Sequence, residues 1–417
     1  MRFKQGLLAL LGAAAVAFGA SADPSVTINS VRQNYPWNNT VEINYTIGGT
    51  KASSDTLYAL SYSYATSTGG TKTAIPASDM GGISMVDSDD FQISGTYTAI
   101  WTAPAGISTD TAELTIEVQD VTEQGTPATE ANATYMVVRL DNGKVYYRTW
   151  ASQDAANTAY NTDEYKTTKM VFRKVPAGTY YVQDSSSTTA TMAKDYWIGI
   201  FEVTVGQYTL MQNSAASVSA TEANMKPQAS VAWATLRYNS SSTSTLPTST
   251  FAGNLNSASP IGKLNTLTAS TAGGKKFDLP TEAMWEVAAR AMPAGDSSHA
   301  TWQWFFGSAD STLGEYAWYS GNNSPSGTKK AGTKKPNDWG LYDVYGNVWE
   351  WCLDSAGSGS AAMSYSQTPS VASGNYRRSR GGYYDYGSSY CRSGARSYNS
   401  YNGSPASIGF RLASLVP

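Results

Sequence analysis

The chain has 417 residues and a net charge of −3, and only 15% of its residues are Asp, Glu, Lys or Arg. This length predicts two or three domains, each large enough to bury its own core. The near-neutral charge argues against a nucleic-acid binder and against a polybasic membrane binder. Because His299 is the single histidine, iron, copper and zinc sites built from several histidines are excluded.

Residues 1–22 have the pattern of a secretory signal peptide. Met1–Lys4 is basic, an apolar run extends from Gly6 to Gly19, and Ala20–Ala22 is a small-x-small cleavage site. A short membrane anchor is the alternative, although the run is shorter than the roughly 20 residues that cross a bilayer. We therefore expect an exported protein, periplasmic, secreted or at the cell surface, with no membrane span. That compartment permits disulfides.

Residues 23–123 show the alternation of half-buried strands. Val41, Ile43 and Tyr45 alternate with polar residues, and glycine pairs such as Gly48-Gly49 separate the apolar segments. Short alternating strands with glycine-rich turns are typical of all-β domains. We predict an immunoglobulin-like sandwich without a cysteine pair between its sheets, acting as a spacer or presentation module.

We predict a linker and a β-hairpin in residues 124–165. Gln124–Asn132 is polar and contains Gly-Thr-Pro, which is typical of a linker. Tyr135–Leu140 and Lys144–Trp150 flank Asp141-Asn142-Gly143, and Asn-Gly tolerates the positive φ of a type I′ turn. We place this hairpin as an extra element between the domains, followed by a polar stretch, Ser152–Glu164.

Residues 166–417 differ in composition, because tryptophan becomes frequent and helical segments occur. The clearest helix covers Thr281–Arg290, which Thr281 can cap. Shorter helices are predicted in Val203–Met211 and Val231–Tyr238, with long Ser/Thr-rich connections between them. We therefore expect a domain rich in irregular structure, supported by buried aromatic residues, and an α+β fold class for the chain.

Five motifs follow one another in this region: Asp195–Thr204, Leu279–Arg290, Gly340–Trp351, Arg380–Gly382 and Ile408–Arg411. In this order they closely resemble the formylglycine-generating enzyme, or sulfatase-modifying factor, family. The resemblance extends from near Lys169 to the C-terminus. It implies a variant of the C-type lectin fold for residues 166–417 and leaves the N-terminal domain outside.

The resemblance also locates a copper site. The oxidases of this family bind copper through two cysteines that follow a Gly-Gly pair, and they oxidise a substrate cysteine with oxygen. Here the first of these positions is Tyr386 and the second is Cys391. Cu(I) prefers thiolates, which a phenol cannot replace. We therefore expect neither copper nor a catalytic residue, and Cys391 alone matches if the protein is an oxidase.

The two cysteines have a different role in other relatives. Family members that are not oxidases often carry a cysteine at the Cys352 position opposite one at the Cys391 position. The resemblance thus implies a structural disulfide between Cys352 and Cys391. Two free thiols and a metal site are the alternatives.

The turn around Gly346–Glu350 often helps to hold calcium in this family. The ligands are an Asn side chain, main-chain carbonyls and an acid, the oxygen donors that Ca²⁺ prefers. Asn347 and Glu350 match in type and spacing, so a structural calcium ion is one expectation. The alternative is that Asn347 caps the turn and Glu350 pairs with Arg411.

Tyr383–Gly403 is the segment richest in tyrosine, with 6 Tyr in 21 residues against 28 in 417 for the chain. Most of its other residues are Ser, Asn, Asp and Gly. Antibody paratopes have this composition, because Tyr supplies contact area at low entropic cost and small residues adapt. We predict a ligand-binding surface formed by Tyr383, Tyr384, Asp385, Tyr386, Ser388, Ser389, Tyr390, Tyr398, Asn399, Ser400, Tyr401 and Asn402.

The same segment resembles the variable region of diversity-generating retroelement proteins, many of which display it on this fold. There a reverse transcriptase miscopies template adenines, so that Asn codons become Tyr, Asp, Ser and Gly codons at chosen surface positions. The resemblance implies that the predicted surface, with Gly387, varies. The fixed frame would be Arg380–Gly382, Cys391-Arg392 and Ile408–Arg411. A codon bias of the organism is the alternative, since Tyr58–Tyr64 is also rich in Tyr and Ser.

Together these observations predict an exported, non-catalytic, lectin-like binding protein. Its ligand would be an unidentified protein, peptide or glycan, and not a nucleic acid. A formylglycine-generating oxidase of protein cysteine, acting in sulfatase maturation, and a structural envelope protein are the alternatives.

Overall fold

The computed structural model describes residues 25–33, 40–48, 58–67, 69–75, 80–81, 95–104, 113–120, 126–238, 251–357, 362–370 and 374–416. The chain separates into two compact units, Met1–Gln124 and Gly125–Pro417. The predicted signal peptide lies outside the described residues. Within those ranges, none of the helices has the length and apolar character needed to cross a membrane.

The described strands of the first unit form two antiparallel sheets. One has the order β1-β2-β6-β5 and the other β4-β3-β7. Val41, Ile43 and Tyr45 are buried while the residues between them are half-buried, which confirms the predicted alternation in β2. The immunoglobulin-like sandwich stays a prediction. The strands are β1 (Ser25–Gln33), β2 (Thr40–Gly48), β3 (Tyr58–Ala65), β4 (Thr73–Ala74), β5 (Met80–Gly81), β6 (Gly95–Thr102) and β7 (Glu113–Asp120).

The second unit is built on a seven-stranded sheet, with the order β15-β20-β14-β11-β9-β10-β8. A four-stranded sheet, β18-β17-β16-β19, and the pair β12-β13 complete its described strands. The strands are β8 (Thr126–Pro127), β9 (Tyr135–Arg139), β10 (Val145–Thr149), β11 (Lys169–Val175), β12 (Gly178–Tyr181), β13 (Thr189–Met192), β14 (Tyr196–Gly199), β15 (Phe277–Asp278), β16 (Trp349–Gly357), β17 (Tyr376–Arg380), β18 (Arg396–Ser400), β19 (Ile408–Gly409) and β20 (Ala413–Leu415).

The position of the hairpin corrects the sequence prediction. Strands β9 and β10 form the expected hairpin, but β9 also pairs with β11, so the hairpin is part of the seven-stranded sheet and not an element between domains. Within its turn, Gly143 has a positive φ of 74° and Asn142 does not, so the turn is not type I′. A Cβ on Gly143 would lie 2.2 Å from the Leu267 carbonyl oxygen. Glycine is therefore required there by close packing as well as by φ.

The predicted helices of the second unit are present with later starts. Thr204 and Gln207 form a reciprocal capping box, with hydrogen bonds of 3.2 and 3.0 Å, so α2 begins at Val205. Thr281 accepts from the Met284 N–H at 3.1 Å and caps α5 as expected. Helix α1 lies within the polar stretch Ser152–Glu164, for which no helix was predicted. The helices are α1 (Gln153–Tyr160), α2 (Val205–Gln212), α3 (Trp233–Tyr238), α4 (Pro260–Leu267), α5 (Glu282–Arg290) and α6 (Leu313–Tyr316).

Candidate functional site: the tyrosine-rich surface

A glycine pair turns the chain out of β17 and into the tyrosine-rich segment. Gly381 and Gly382 have φ of 99° and 80°, a region that favours glycine. A Cβ on Gly382 would lie 2.6 Å from Cys391 Sγ and 2.8 Å from the Tyr390 carbonyl oxygen. The return path of the loop therefore passes directly against Gly382, and both ends of the loop are fixed.

Four tyrosines of this loop pack against one another, and we call Tyr383, Tyr384, Tyr386 and Tyr390 the tyrosine cluster. Ring centroids are 4.4 Å apart for Tyr383 and Tyr386, and 4.8 Å apart for Tyr386 and Tyr390. Trp349 meets Tyr386 edge to face at 6.2 Å. Tyr386 is 38% exposed and Tyr390 is 52% exposed. The cluster thus presents aromatic faces to solvent while its members fix each other's positions.

A second aromatic pair lies on the strands that flank the loop. Tyr376 of β17 and Tyr398 of β18 meet edge to face at 5.3 Å, and they are 39% and 44% exposed. Tyr376 precedes the tyrosine-rich segment, so the composition of that segment did not indicate that Tyr376 belongs to the exposed surface. The cross-strand register of β17 and β18 brings it beside Tyr398.

The structure exposes most of the twelve predicted surface residues but not all. Tyr401 is only 7% exposed and belongs to the core with Trp233 and Phe410, so its assignment to the ligand surface was wrong. Composition cannot separate a core tyrosine from a surface one. Exposed members are Asp385, Tyr386, Ser389, Tyr390, Tyr398 and Asn402, and half-buried members are Tyr383, Tyr384, Ser388, Asn399 and Ser400.

Two glutamates of α5 hold the arginines of the strands that carry the loop. Glu282 accepts from Arg396 Nε and Nη2 at 2.8 and 2.7 Å. Glu286 pairs with Arg380, and with Arg290 at 3.0 Å. Both carboxylates are buried, and bidentate or multiple charge-assisted bonds of this kind define a fixed geometry. This role of Glu282 was not predicted from the sequence, because its partner Arg396 lies 114 residues later in the chain.

The middle of the loop is held as well. Arg392 Nη1 donates to Asp184 Oδ2 at 2.6 Å, and Arg392 Nε donates to the Ser389 carbonyl oxygen at 3.0 Å. Asp184 also pairs with Arg290 of α5. The exposed tyrosines therefore stand on a backbone that is fixed at both ends and near Tyr390, which lowers the entropic cost of binding a ligand.

The expected disulfide is absent: Cys352 and Cys391 are free and both are buried. Burial raises the pKa of Cys391 to about 12 and raises the pKa of Cys352 well above its usual range. Tyr386 stands at the position where the resemblance implies the other cysteine of a copper site. Of the two thiolates that Cu(I) prefers, the sequence can therefore supply only that of Cys391 at these positions.

The residues expected to bind calcium are committed to other partners. Both oxygens of Glu350 accept from Arg411, at 2.6 Å each, and Oε2 also accepts from Trp285 Nε1 at 2.6 Å. Asn347 Oδ1 accepts from the Lys329 N–H at 2.9 Å, and Asn347 Nδ2 donates to Glu202 at 2.6 Å. The pairing of Glu350 with Arg411 agrees with the alternative interpretation, whereas the Asn347 side chain bonds to distant residues and does not cap its own turn. Within the described residues no group of three His, Cys, Asp or Glu could hold a metal ion.

Two buried acids lie beneath this turn. Burial, with smaller contributions from Asp343 and Glu350, raises the pKa of Glu202 well above its usual range. Burial also raises the pKa of Asp343 to about 6. Asp343 Oδ2 accepts from the Gly332 N–H at 2.7 Å, whereas Oδ1 has no hydrogen-bond partner among the described residues. These acids are therefore titratable parts of the scaffold.

The fold and site can be compared with known proteins. A family model described as sulfatase-modifying factor enzyme 1-like domain matches residues 155–416. The formylglycine-generating enzyme of Thermomonospora curvata is 34% identical over 167 residues, which cover 34% of this chain and 50% of that protein. The mouse enzyme is 31% identical over 159 residues, covering 34% of this chain and 40% of the mouse protein. The chain thus matches half or less of these relatives' length.

Solved structures also align with the chain. Treponema denticola variable protein 1 is 27% identical, with a TM-score of 0.43 over 60% of this chain and 96% of that one. PvdO from Pseudomonas aeruginosa is 19% identical, with a TM-score of 0.44 over 59% of this chain and 94% of that one. The family model covers more than half of the sequence. The chain therefore belongs, through residues 155–416, to the formylglycine-generating enzyme or sulfatase-modifying factor family.

Proposed function

We propose that the protein is an exported, non-catalytic binding protein whose ligand surface is the tyrosine cluster with its exposed neighbours. The observation that carries the proposal is the packing of four tyrosines, two of them well exposed, on a loop anchored by buried ion pairs. Rigid aromatic side chains next to small polar ones suit recognition of a macromolecular surface. In this proposal the N-terminal unit is a β-sandwich that presents the binding domain.

The position of Tyr386 supports binding in preference to oxidation. A phenol stands where the family's oxidases need a thiolate, and the remaining thiol, Cys391, is buried, which raises its pKa. The proposal includes diversification of the exposed loop positions between fixed ones. Sequencing the 3′ end of the gene in sister isolates tests that part. Identical codons for residues 383–402, without a nearby reverse transcriptase gene or adenine-rich near-copy, would remove it.

Binding can be tested with a glycan array and a displayed library of random 12-residue peptides. We expect to find ligands that bind the wild-type protein and whose binding is lost in the double variant Tyr386→Ala/Tyr390→Ala. Tyr365→Ala is the matched control, because Tyr365 is 43% exposed and outside the surface. Melting temperatures of the three proteins establish that folding is unchanged. Ligands that bind wild type and the double variant equally would overturn the proposal.

The oxidase is the second candidate, because the curated relatives named above are formylglycine-generating enzymes. It requires copper and oxygen-dependent oxidation of a cysteine-containing peptide. We expect neither Cu(I) uptake in competition with bicinchoninate nor oxygen consumption with such a peptide. Stoichiometric Cu(I) uptake that is lost on Cys391→Ser would favour the oxidase over the binding protein.

A further inference from the structure

A cluster of positive charge lies next to the proposed ligand surface. Four lysines occur within Lys329–Lys335, which we call the lysine segment. Two are paired, Lys330 with Asp163 and Lys335 with Glu315, each at 2.6 Å. Across the described ranges, no carboxylate lies within 4.0 Å of the ammonium groups of Lys329 and Lys334. Each of these ammonium groups already donates to one carbonyl oxygen, but neither has an acid at that distance, so both can interact with an external anion.

Both of these ammonium groups lie over the face of Trp318. The distances from Nζ to the ring centroid are 4.1 Å for Lys334 and 5.6 Å for Lys329. Trp318 Nε1 donates to Thr333 Oγ1 at 2.8 Å, and Lys334 Nζ donates to the Gly314 carbonyl oxygen at 2.5 Å. The cation–π contacts and hydrogen bonds hold the two charges in place.

Asn347 connects the lysine segment to the tyrosine cluster. Its N–H donates to the Trp318 carbonyl oxygen at 2.8 Å, and its carbonyl oxygen accepts from the Tyr384 N–H at 3.0 Å. Its side-chain oxygen accepts from the Lys329 N–H at 2.9 Å. Asn347 thus joins the backbones of Lys329 and Tyr384, through its side chain on one side and its main chain on the other.

A second connection brings the same region against the cluster directly. The Ser320 N–H donates to the Tyr386 carbonyl oxygen at 3.1 Å. The lysine segment and the tyrosine cluster are therefore neighbours, and charges are only partly screened within about 8 Å, the Debye length at physiological ionic strength. A ligand bound to the tyrosine cluster therefore experiences the field of Lys329 and Lys334.

The ring geometry indicates the class of ligand. Adjacent rings are inclined by 55° for Tyr383 and Tyr386 and by 52° for Tyr386 and Tyr390. These faces do not form one plane, and rings inclined in this way form clefts that can receive protruding side chains. Tyr383–Gly403 contains one acid, Asp385, and Asp310 contacts the surface through its hydrogen bond with Ser388 at 3.0 Å, so the four lysines of the lysine segment outnumber the acids here.

We infer that the partner of this surface is a protein segment rich in Asp and Glu, whose acidic residues pair with Lys329 and Lys334 while apolar neighbours enter the tyrosine cluster. This inference rests on the proposed binding function. Charges at the edge of an interface mainly accelerate association and make it sensitive to salt. They also reject partners that are basic.

The test selects displayed random 12-residue peptides on the wild-type protein. The selected peptides should be enriched in Asp and Glu. Their association rate should fall roughly tenfold on Lys329→Gln/Lys334→Gln at low salt, and the difference should shrink at high salt. Lys330→Gln/Lys335→Gln removes the same net charge from the same segment at lysines that already have acidic partners, so it is the matched control and should lower the rate clearly less.

The outcomes separate the inference from the proposed function. Peptides that need Tyr386 and Tyr390 but are not enriched in acids, or that bind both lysine variants equally, overturn the acidic partner and leave the binding function. If glycans need Tyr386 and Tyr390 for binding but no peptide binds there, the acidic partner is likewise overturned and the binding function remains. If no ligand of either kind needs Tyr386 and Tyr390, both the inference and the proposed function fail.

Discussion

Glu350 and Arg411 form a bidentate ion pair with no solvent exposure, in which Arg411 Nε and Nη2 donate to the two carboxylate oxygens at 2.6 Å. Arg411 also donates to the carbonyl oxygens of Gly199 and Tyr342, each at 2.9 Å. Trp285 donates to the same carboxylate. Through these contacts the pair joins four of the five family motifs in this chain.

Substitution of Arg411 tests how much this ion pair matters to the free energy of unfolding. Arg411→Met leaves Glu350 as an uncompensated buried charge, which typically costs about 3–5 kcal/mol. We expect the free energy of unfolding, measured by urea denaturation, to fall by that amount. Lys335→Met, which removes one partner of a solvent-exposed pair, is the control and should cost less than about 1 kcal/mol. Equal effects of the two substitutions would contradict this account.

Truncation of two tyrosines in the same segment should change the free energy of unfolding by very different amounts. Tyr401 is in the core, so Tyr401→Ala should lower the free energy of unfolding by about 3 kcal/mol through cavity formation. Tyr390 is exposed, so Tyr390→Ala should change it by no more than about 0.5 kcal/mol. Chemical denaturation of both variants under the same conditions measures this difference. A destabilising Tyr390→Ala would show that the cluster serves the fold and not a ligand.

The sequence predicted those structural elements that depend on interactions between residues close together in the chain. The cap at Thr281 and the alternation at Val41, Ile43 and Tyr45 are set by neighbouring residues, and both were visible in the sequence. The order of the motifs was sufficient to indicate the family. The loop with its exposed tyrosines was found from composition, because few core segments combine tyrosine with so many small polar residues.

Contacts between distant residues were not predictable in the same way. The pairing of β9 with β11 placed the hairpin inside a sheet, and no local pattern specifies the third strand. The burial of Tyr401 depends on Trp233 and Arg377, which are far away in the chain. The same holds for Glu282, whose role depends on Arg396, more than a hundred residues later.

The state of the cysteines gives a direct chemical test. Both are free and buried, so an aromatic disulfide reagent should find two thiols per chain after denaturation without reductant. In the native protein we expect slow modification at neutral pH, because burial raises the pKa of both thiols and limits access. Absence of thiols in the denatured protein would reveal the Cys352–Cys391 disulfide. A fast-reacting native thiol would show an accessible Cys391 and strengthen the oxidase alternative.

The buried carboxyl of Asp343 predicts how stability depends on pH. Its folded pKa is raised from 3.8 to about 6, so folding favours the protonated form. Its contribution is therefore complete below about pH 4 and is lost as the pH rises through 6. Asp343→Asn stays neutral throughout, and asparagine accepts the positive φ of 54° at this position.

We therefore expect Asp343→Asn to match wild type near pH 4 and to be more stable above pH 6. The gain should be on the order of 2–3 kcal/mol, since one pKa unit corresponds to about 1.4 kcal/mol. Urea denaturation at pH 4, 5.5 and 7 measures it. Asp385→Asn, at an exposed carboxylate, is the control and should show no gain with pH. A difference between Asp343→Asn and wild type that is the same at all three pH values would mean that the charge of Asp343 is compensated in the fold.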